Sequence, residues 1–188
     1  MKRFLTILMA TILCLSLFSC GSTAVSGDIT TYTNAASSVS IDLPGKWTAD
    51  EKSASDTLDV IYSNGAAEVR LQCLSKGQIS YMADDLAGYT DYSMINVLGD
   101  MLRDAEFSGT DIAIPDFIIN SSAQSFSLRN GDDTVKGFVV FMESERCYYT
   151  CLVMAVGEVY GASKDKLMES VLSIKEITDI PTEEPSEE

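Results

Sequence analysis

The sequence predicts an α/β fold of the α+β type, an antiparallel sheet sandwiched between helices. Three observations predict it. Runs of alternating apolar and polar residues follow one another through short turn signals. The run Cys147–Val156 is apolar on both of its faces. Two stretches elsewhere carry apolar residues at helical spacing. A strand buried on both sides needs a cover on each, and helices are the covers at hand.

The elements follow in order. Val39, Ile41 and Leu43 alternate with Ser40 and Asp42, the pattern of a half-buried strand. Pro44-Gly45 then suits a type II turn, and Trp47, the only tryptophan, is expected to pack back on the sheet. Asn64-Gly65 joins the run Leu58–Ser63 to Ala67–Leu74, and Asn130-Gly131 joins Gln124–Arg129 to Thr134–Met142. Both dipeptides favour a type I′ hairpin turn. The polar break 143–146 makes a third hairpin, with Cys147–Val156. In that last run Cys147, Tyr149, Cys151, Val153 and Ala155 share one face. Tyr148, Thr150, Leu152, Met154 and Val156 share the other.

A first helix is expected within residues 79–106, with Asp91 as N-cap and Ile95, Leu98, Met101, Leu102 and Ala105 on one side. A second is expected from Ser163 as N-cap, with Leu167, Met168, Val171 and Leu172 on one side. Ile112 and Ile114 suggest an edge strand stopped by Pro115.

The two ends of the chain differ from this middle. Met1-Lys2-Arg3 is basic, and Phe4–Phe18 is apolar apart from Thr6, Thr11 and Ser16. Fifteen helical residues reach roughly 22 Å, short for a membrane span and right for a signal peptide. Leu17-Phe18-Ser19-Cys20 resembles the lipobox of bacterial lipoproteins, with Phe18 bulkier than usual at its position. The resemblance implies cleavage after Ser19 and lipidation of Cys20. Attachment to a membrane through that lipid follows, and with it an extracytoplasmic location. Residues 20–37, rich in Ser, Thr, Gly and Ala, are expected to form a flexible tether. Residues 176–188 hold six acids and no base and are expected to form a disordered tail. The folded domain is then 38–175, long enough to hold a core without disulfides or metal.

Composition excludes several functions. The 188 residues carry 13 Lys and Arg against 28 Asp and Glu, a net charge of -15. Removal of residues 1–19 takes away Lys2 and Arg3 and no acid, which brings it to -17. Such a surface offers nothing to hold a phosphate backbone, so nucleic acid is not an expected partner. There is no histidine, and so no histidine-dependent triad and no HExxH zinc site.

The opening Val39-Ser40-Ile41-Asp42-Leu43-Pro44-Gly45-Lys46-Trp47 resembles the start of PsbP-like domains. The order that follows does too: hairpin, long helical segment, meander, then a C-terminal helix running into Ser173-Ile174-Lys175. The resemblance covers most of residues 38–175. It implies an α/β/α sandwich and a non-enzymatic binding or assembly role. It transfers no site, because the family shares no catalytic set. The metal-associated histidines of its photosynthetic members have no counterpart here.

Candidate chemistry is sparse. Cys147 and Cys151 lie four apart in a strand, about 13 Å, too far to pair. Cys73 shares the face of Val69 and Leu71 and could oppose one of them. Buried thiols, one disulfide through Cys73, or a metal or redox site are the alternatives, the last without a CxxC. Asp84-Asp85 and Asp132-Asp133 are neighbours in sequence and point to different faces, so they suit solvated surface better than catalysis. No DxDxDG calcium loop, GxSxG elbow or P-loop occurs.

No catalytic, metal or cofactor residue is therefore nominated. Tyr81, Tyr89 and Tyr92 cluster at the start of the helical region. Tyrosine combines apolar area with a polar tip, which makes them a candidate partner surface beside a role in the core. The expected function is a lipid-anchored binding or assembly module for an envelope component. A soluble-ligand binder for peptide, sugar or cation is the alternative, and a carboxylate-dependent hydrolase the third reading.

Overall fold

A computed structural model describes residues 24–131 and 133–177. The signal segment, Cys20 and the tail from residue 178 lie outside the described residues. Among the described residues ten strands form two antiparallel sheets. The larger runs β3-β4-β5-β9-β8-β7-β6. Its strands are β3 (Trp47–Ala49), β4 (Thr57–Tyr62), β5 (Ala67–Ser75), β6 (Glu106–Gly109), β7 (Asn120–Asn130), β8 (Asp133–Glu143) and β9 (Cys147–Val156). The smaller runs β1-β2-β10 and holds β1 (Ile29–Thr33), β2 (Val39–Pro44) and β10 (Lys175–Glu176). The helices are α1 (Lys76–Ile79), α2 (Leu86–Tyr92), α3 (Gly99–Leu102) and α4 (Gly157–Leu172), with a π turn at Ser93–Val97 between α2 and α3.

The central strand has the expected two-sided burial. Cys147, Tyr149, Cys151, Val153 and Ala155 face one apolar cluster. Tyr148, Leu152 and Met154 face a second. α2, the π turn and α3 cover the second face through Tyr89, Leu98 and Leu102. The first face is covered by α4 and, beyond the expected helix, by the small sheet. Seven strands span about 29 Å, and one helix covers a stripe of about 10–12 Å. Val39, Ile41 and Leu43 of β2 fill much of the remainder.

Several local expectations shift for identifiable reasons. The expected tether carries β1 from Ile29, and Val25 is already fully buried. At the other end Glu176 belongs to β10, and the Ile177 N–H bonds to Ser38 O. The N-cap of α2 is Asp85, whose carboxylate accepts the Gly88 N–H at 2.8 Å, and Asp91 lies inside the helix. The wider π turn breaks the helical phase: Leu98 and Leu102 stay buried, whereas Ile95 is 73% exposed.

α4 continues directly from β9 at Gly157, which puts Ser163 in its middle, buried. Ile112 and Ile114 are non-strand segments packed on the core, and the edge strand is β6. Gly45 takes φ 90°, as a type II turn requires, and Trp47 packs on Tyr62 at 5.1 Å. The β4–β5 loop spans 63–66, with Gly65 at φ 71° and Asn64 without a positive φ, so it is not type I′. The Asn64 side chain accepts the Ala66 N–H instead. The β7–β8 loop sits one residue later than expected, with Asn130 opposite Asp133.

Candidate functional site

The built site lies where β10, the β8–β9 turn and the loop before β7 meet. Antiparallel pairing puts Glu176 opposite Val39 at the end of the small sheet. Tyr149, on the first turn-proximal residues of β9, reaches it from the large sheet, and its hydroxyl donates to Glu176 Oε2 at 2.8 Å. Ser144 Oγ lies 3.3 Å from the same oxygen, and Arg146 forms an ion pair with Oε1. The Ser144 hydroxyl also accepts the Cys147 N–H at 3.0 Å, which fixes the turn. The carboxylate side chain is only 13% exposed, so three donors hold it in one position. Above them opens a cleft of about 620 Å³ lined by Asp116, Phe117, Ile119, Ser144, Glu145, Arg146, Lys175 and Glu176. Phe117 stands edge-on to Tyr149 at 5.9 Å and forms an apolar wall, and Ile119 projects at its rim, 63% exposed.

Two thiols lie behind this cleft. Cys73 stands opposite Tyr149 and Ser75 opposite Cys147, so the two cysteines are diagonal neighbours on one face. Both are free and buried. Their thiols share a hydrogen bond that lowers Cys147 to about 7 against the upward push of burial. The same bond, with burial, raises Cys73. The arrangement is two packed thiols on neighbouring strands. Cys151 is buried and lies four residues beyond Cys147 along β9, its thiol pushed up by burial to about 12. Among the described residues no group of three or more metal-ligating side chains comes together.

The three tyrosines are not brought together as a surface. Tyr89 is fully buried, stacked on Tyr148 at 4.9 Å, with its hydroxyl 2.7 Å from Thr150 Oγ1. Its place is the core, because the helix phase set by Asp85 turns it inward. Tyr81 is 77% exposed, and Tyr92 is partly buried. Sequence reasoning missed Ser144, Arg146 and Glu176. Glu176 sits in an acidic run that reads as tail, and no local pattern links it to a turn 30 residues earlier. It also missed the trio on β4 and β5, where Arg70 Nε meets Asp59 Oδ1 at 2.5 Å beside Glu68. Burial raises the Glu68 carboxyl to about 7. The alternation Glu68, Arg70, Gln72 was the available signal, since it sets polar groups on a face of a strand that the fold buries.

No protein-family model matches the chain, and no curated protein matches it. Solved structures do. The solution structure of the PsbP protein CyanoP from Synechocystis sp. PCC 6803 is 11% identical with a TM-score of 0.54. The match covers 86% of this chain and 99% of that one. A crystal structure from Bacteroides thetaiotaomicron VPI-5482 is 10% identical with a TM-score of 0.53. It matches over 79% of this chain, which spans about half, 48%, of that protein. At such identities the likeness concerns the fold, and the fold of this chain is PsbP-like.

Proposed function

We propose that the protein is a non-catalytic binding or assembly module, held on the outer side of a bacterial membrane by a lipid on Cys20. The observation that carries the binding role is the cleft at the β8–β9 turn. Its floor is a carboxylate fixed by three donors. Its rim offers both signs of charge, and one wall is apolar. Arg146 is 54% exposed at its side chain, and Ile119 is more exposed still. An arginine and a large apolar side chain around a pre-set polar floor are the anchors a protein partner uses. The lipobox-like Leu17–Cys20 supports the address.

Cross-linking in cells, followed by affinity capture, tests this. One partner near stoichiometric yield is expected with the unaltered chain. It is expected to be lost with Arg146→Ala and with Ile119→Asp, while near-ultraviolet circular dichroism stays unchanged. The same proteins captured from all samples would overturn the reading. The cleft volume also lies in the range of small-molecule sites, about 300–1,000 Å³. A soluble ligand is therefore the second reading, and it predicts a thermal shift with one compound that Arg146→Ala abolishes.

A further inference from the structure

The entering chain is clasped to one end of the domain. The Val25 N–H donates to the buried Ser163 Oγ at 2.6 Å. Ser26 bonds the Tyr62 hydroxyl through both its N–H and its carbonyl, at 3.2 and 3.1 Å. The Gly45 N–H donates to Asp28 O at 2.8 Å. Gly27 and Gly45 pack backbone to backbone: a Cβ on Gly45 would stand 2.6 Å from Ser26 O. Ile29 then pairs with Pro44 and projects from the same end, 72% exposed.

The chain leaves from the other end. Glu176 pairs with Val39, five residues along β2 from Pro44, or about 17 Å. The described chain therefore ends, at Ile177, on the side of the Arg146–Glu176 cleft. The sequence beyond Ile177 carries five acids and no base, a charge that lipid phosphates repel.

Only five residue steps separate Cys20 from the buried Val25, at most about 17 Å of chain. A domain of this size is about 40 Å across. A leash shorter than half the body it holds does not let that body turn over. We infer that the protein stands on the bilayer with its Val25–Ile29 end and the Pro44-Gly45 turn towards the headgroups. The Arg146–Glu176 cleft then faces away, open to a partner. This orientation rests on the lipidation of Cys20.

The test uses the full lipoprotein, with mass spectrometry first reporting the lipid on Cys20. It is placed in vesicles of phosphatidylethanolamine and phosphatidylglycerol doped with a headgroup spin-labelled phospholipid. A fluorophore goes on Ser63→Cys, in the exposed loop beside the clasp, or on Glu145→Cys, at the exposed cleft turn. The native thiols are buried and leave the introduced one to react. Quenching severalfold stronger at position 63 than at 145 is expected. A Gly/Ser spacer of about twenty residues between Cys20 and Ala24, a coil of about 25 Å, is expected to abolish that difference. Equal quenching without the spacer, or stronger quenching at 145, overturns the orientation while lipidation stands. An unlipidated Cys20 overturns the anchoring reading and the orientation together.

Discussion

On one face of the seven-stranded sheet, Val69, Leu71, Val140 and Val153 meet α4 and the small sheet in an apolar cluster. On the other, Glu68, Arg70 and Gln72 stand on the same β5, opposite Met154, Leu152 and Thr150. The difference follows the covers. A sixteen-residue helix and three strands exclude water over a wide area, so that face takes apolar side chains throughout. Short helical pieces interrupted by a π turn cover less, and polar side chains remain there. Most of those groups find partners within the layer, while Gln72 Oε1 is left without one. Arg70 finds Asp59, and Tyr89 finds Thr150. Glu68 answers burial by holding its proton to about pH 7.

The largest test of this contrast is a pair of deletions. Phe138 and Phe141 are both fully buried, one on each face. Phe138→Ala is expected to cost about 3–5 kcal/mol in denaturant unfolding. Phe141→Ala is expected at the lower end of that range, because short helical turns settle into a cavity more readily than α4 and a sheet. Equal costs would show the two covers to be equally rigid.

Next in size is the pH dependence of Glu68. Its folded-state pKa lies above the unfolded value, at about 7 against 4.5. Its contribution is therefore present below pH 4.5 and lost as pH rises through 7. At pH 8 the charged form destabilises the fold by about 1–3 kcal/mol, allowing for its partial exposure. Glu68→Gln is expected to raise the unfolding midpoint at pH 8 and to leave it nearly unchanged at pH 4. A gap independent of pH would remove Glu68 from the comparison.

Smaller effects refine the helical side. Tyr89→Phe removes one buried hydrogen bond and keeps the stacking on Tyr148. It is expected to cost about 1 kcal/mol, with partner capture unaffected, which separates a core role from a surface one. Asp85→Ala removes the cap of α2 and is expected to cost about 1 kcal/mol or less. Hydrogen exchange is expected to rise in α2 and the π turn, with α4 unchanged.

Much of the large sheet was legible in the residues. The alternation along Cys147–Val156 sorted its side chains to the faces the structure gives them. Both Asn-Gly signals mark hairpins, though neither forms the expected turn in the expected register. Helix starts were harder to place. Asp91 and Asp85 both precede apolar spacing, and Ser163 has the composition of a cap while serving as the acceptor for Val25. The cleft was not legible. Tyr149, Ser144, Arg146 and Glu176 carry no motif, and each has an ordinary local explanation.

The residues alone determined which strands form hairpins, which faces are apolar, and that a PsbP-like sandwich results. Those properties follow from periods of two or about four residues and from turn chemistry within a few bonds. Tertiary structure decided that β1 and β2 share the cover with α4. It decided too that Glu176 closes on Arg146 and that Ser163 holds Val25 across 138 positions. Local spacing states which side of an element must leave water and is silent about what it will meet. That choice falls to whichever packing of the whole chain buries the most apolar surface while leaving the fewest polar groups unpaired.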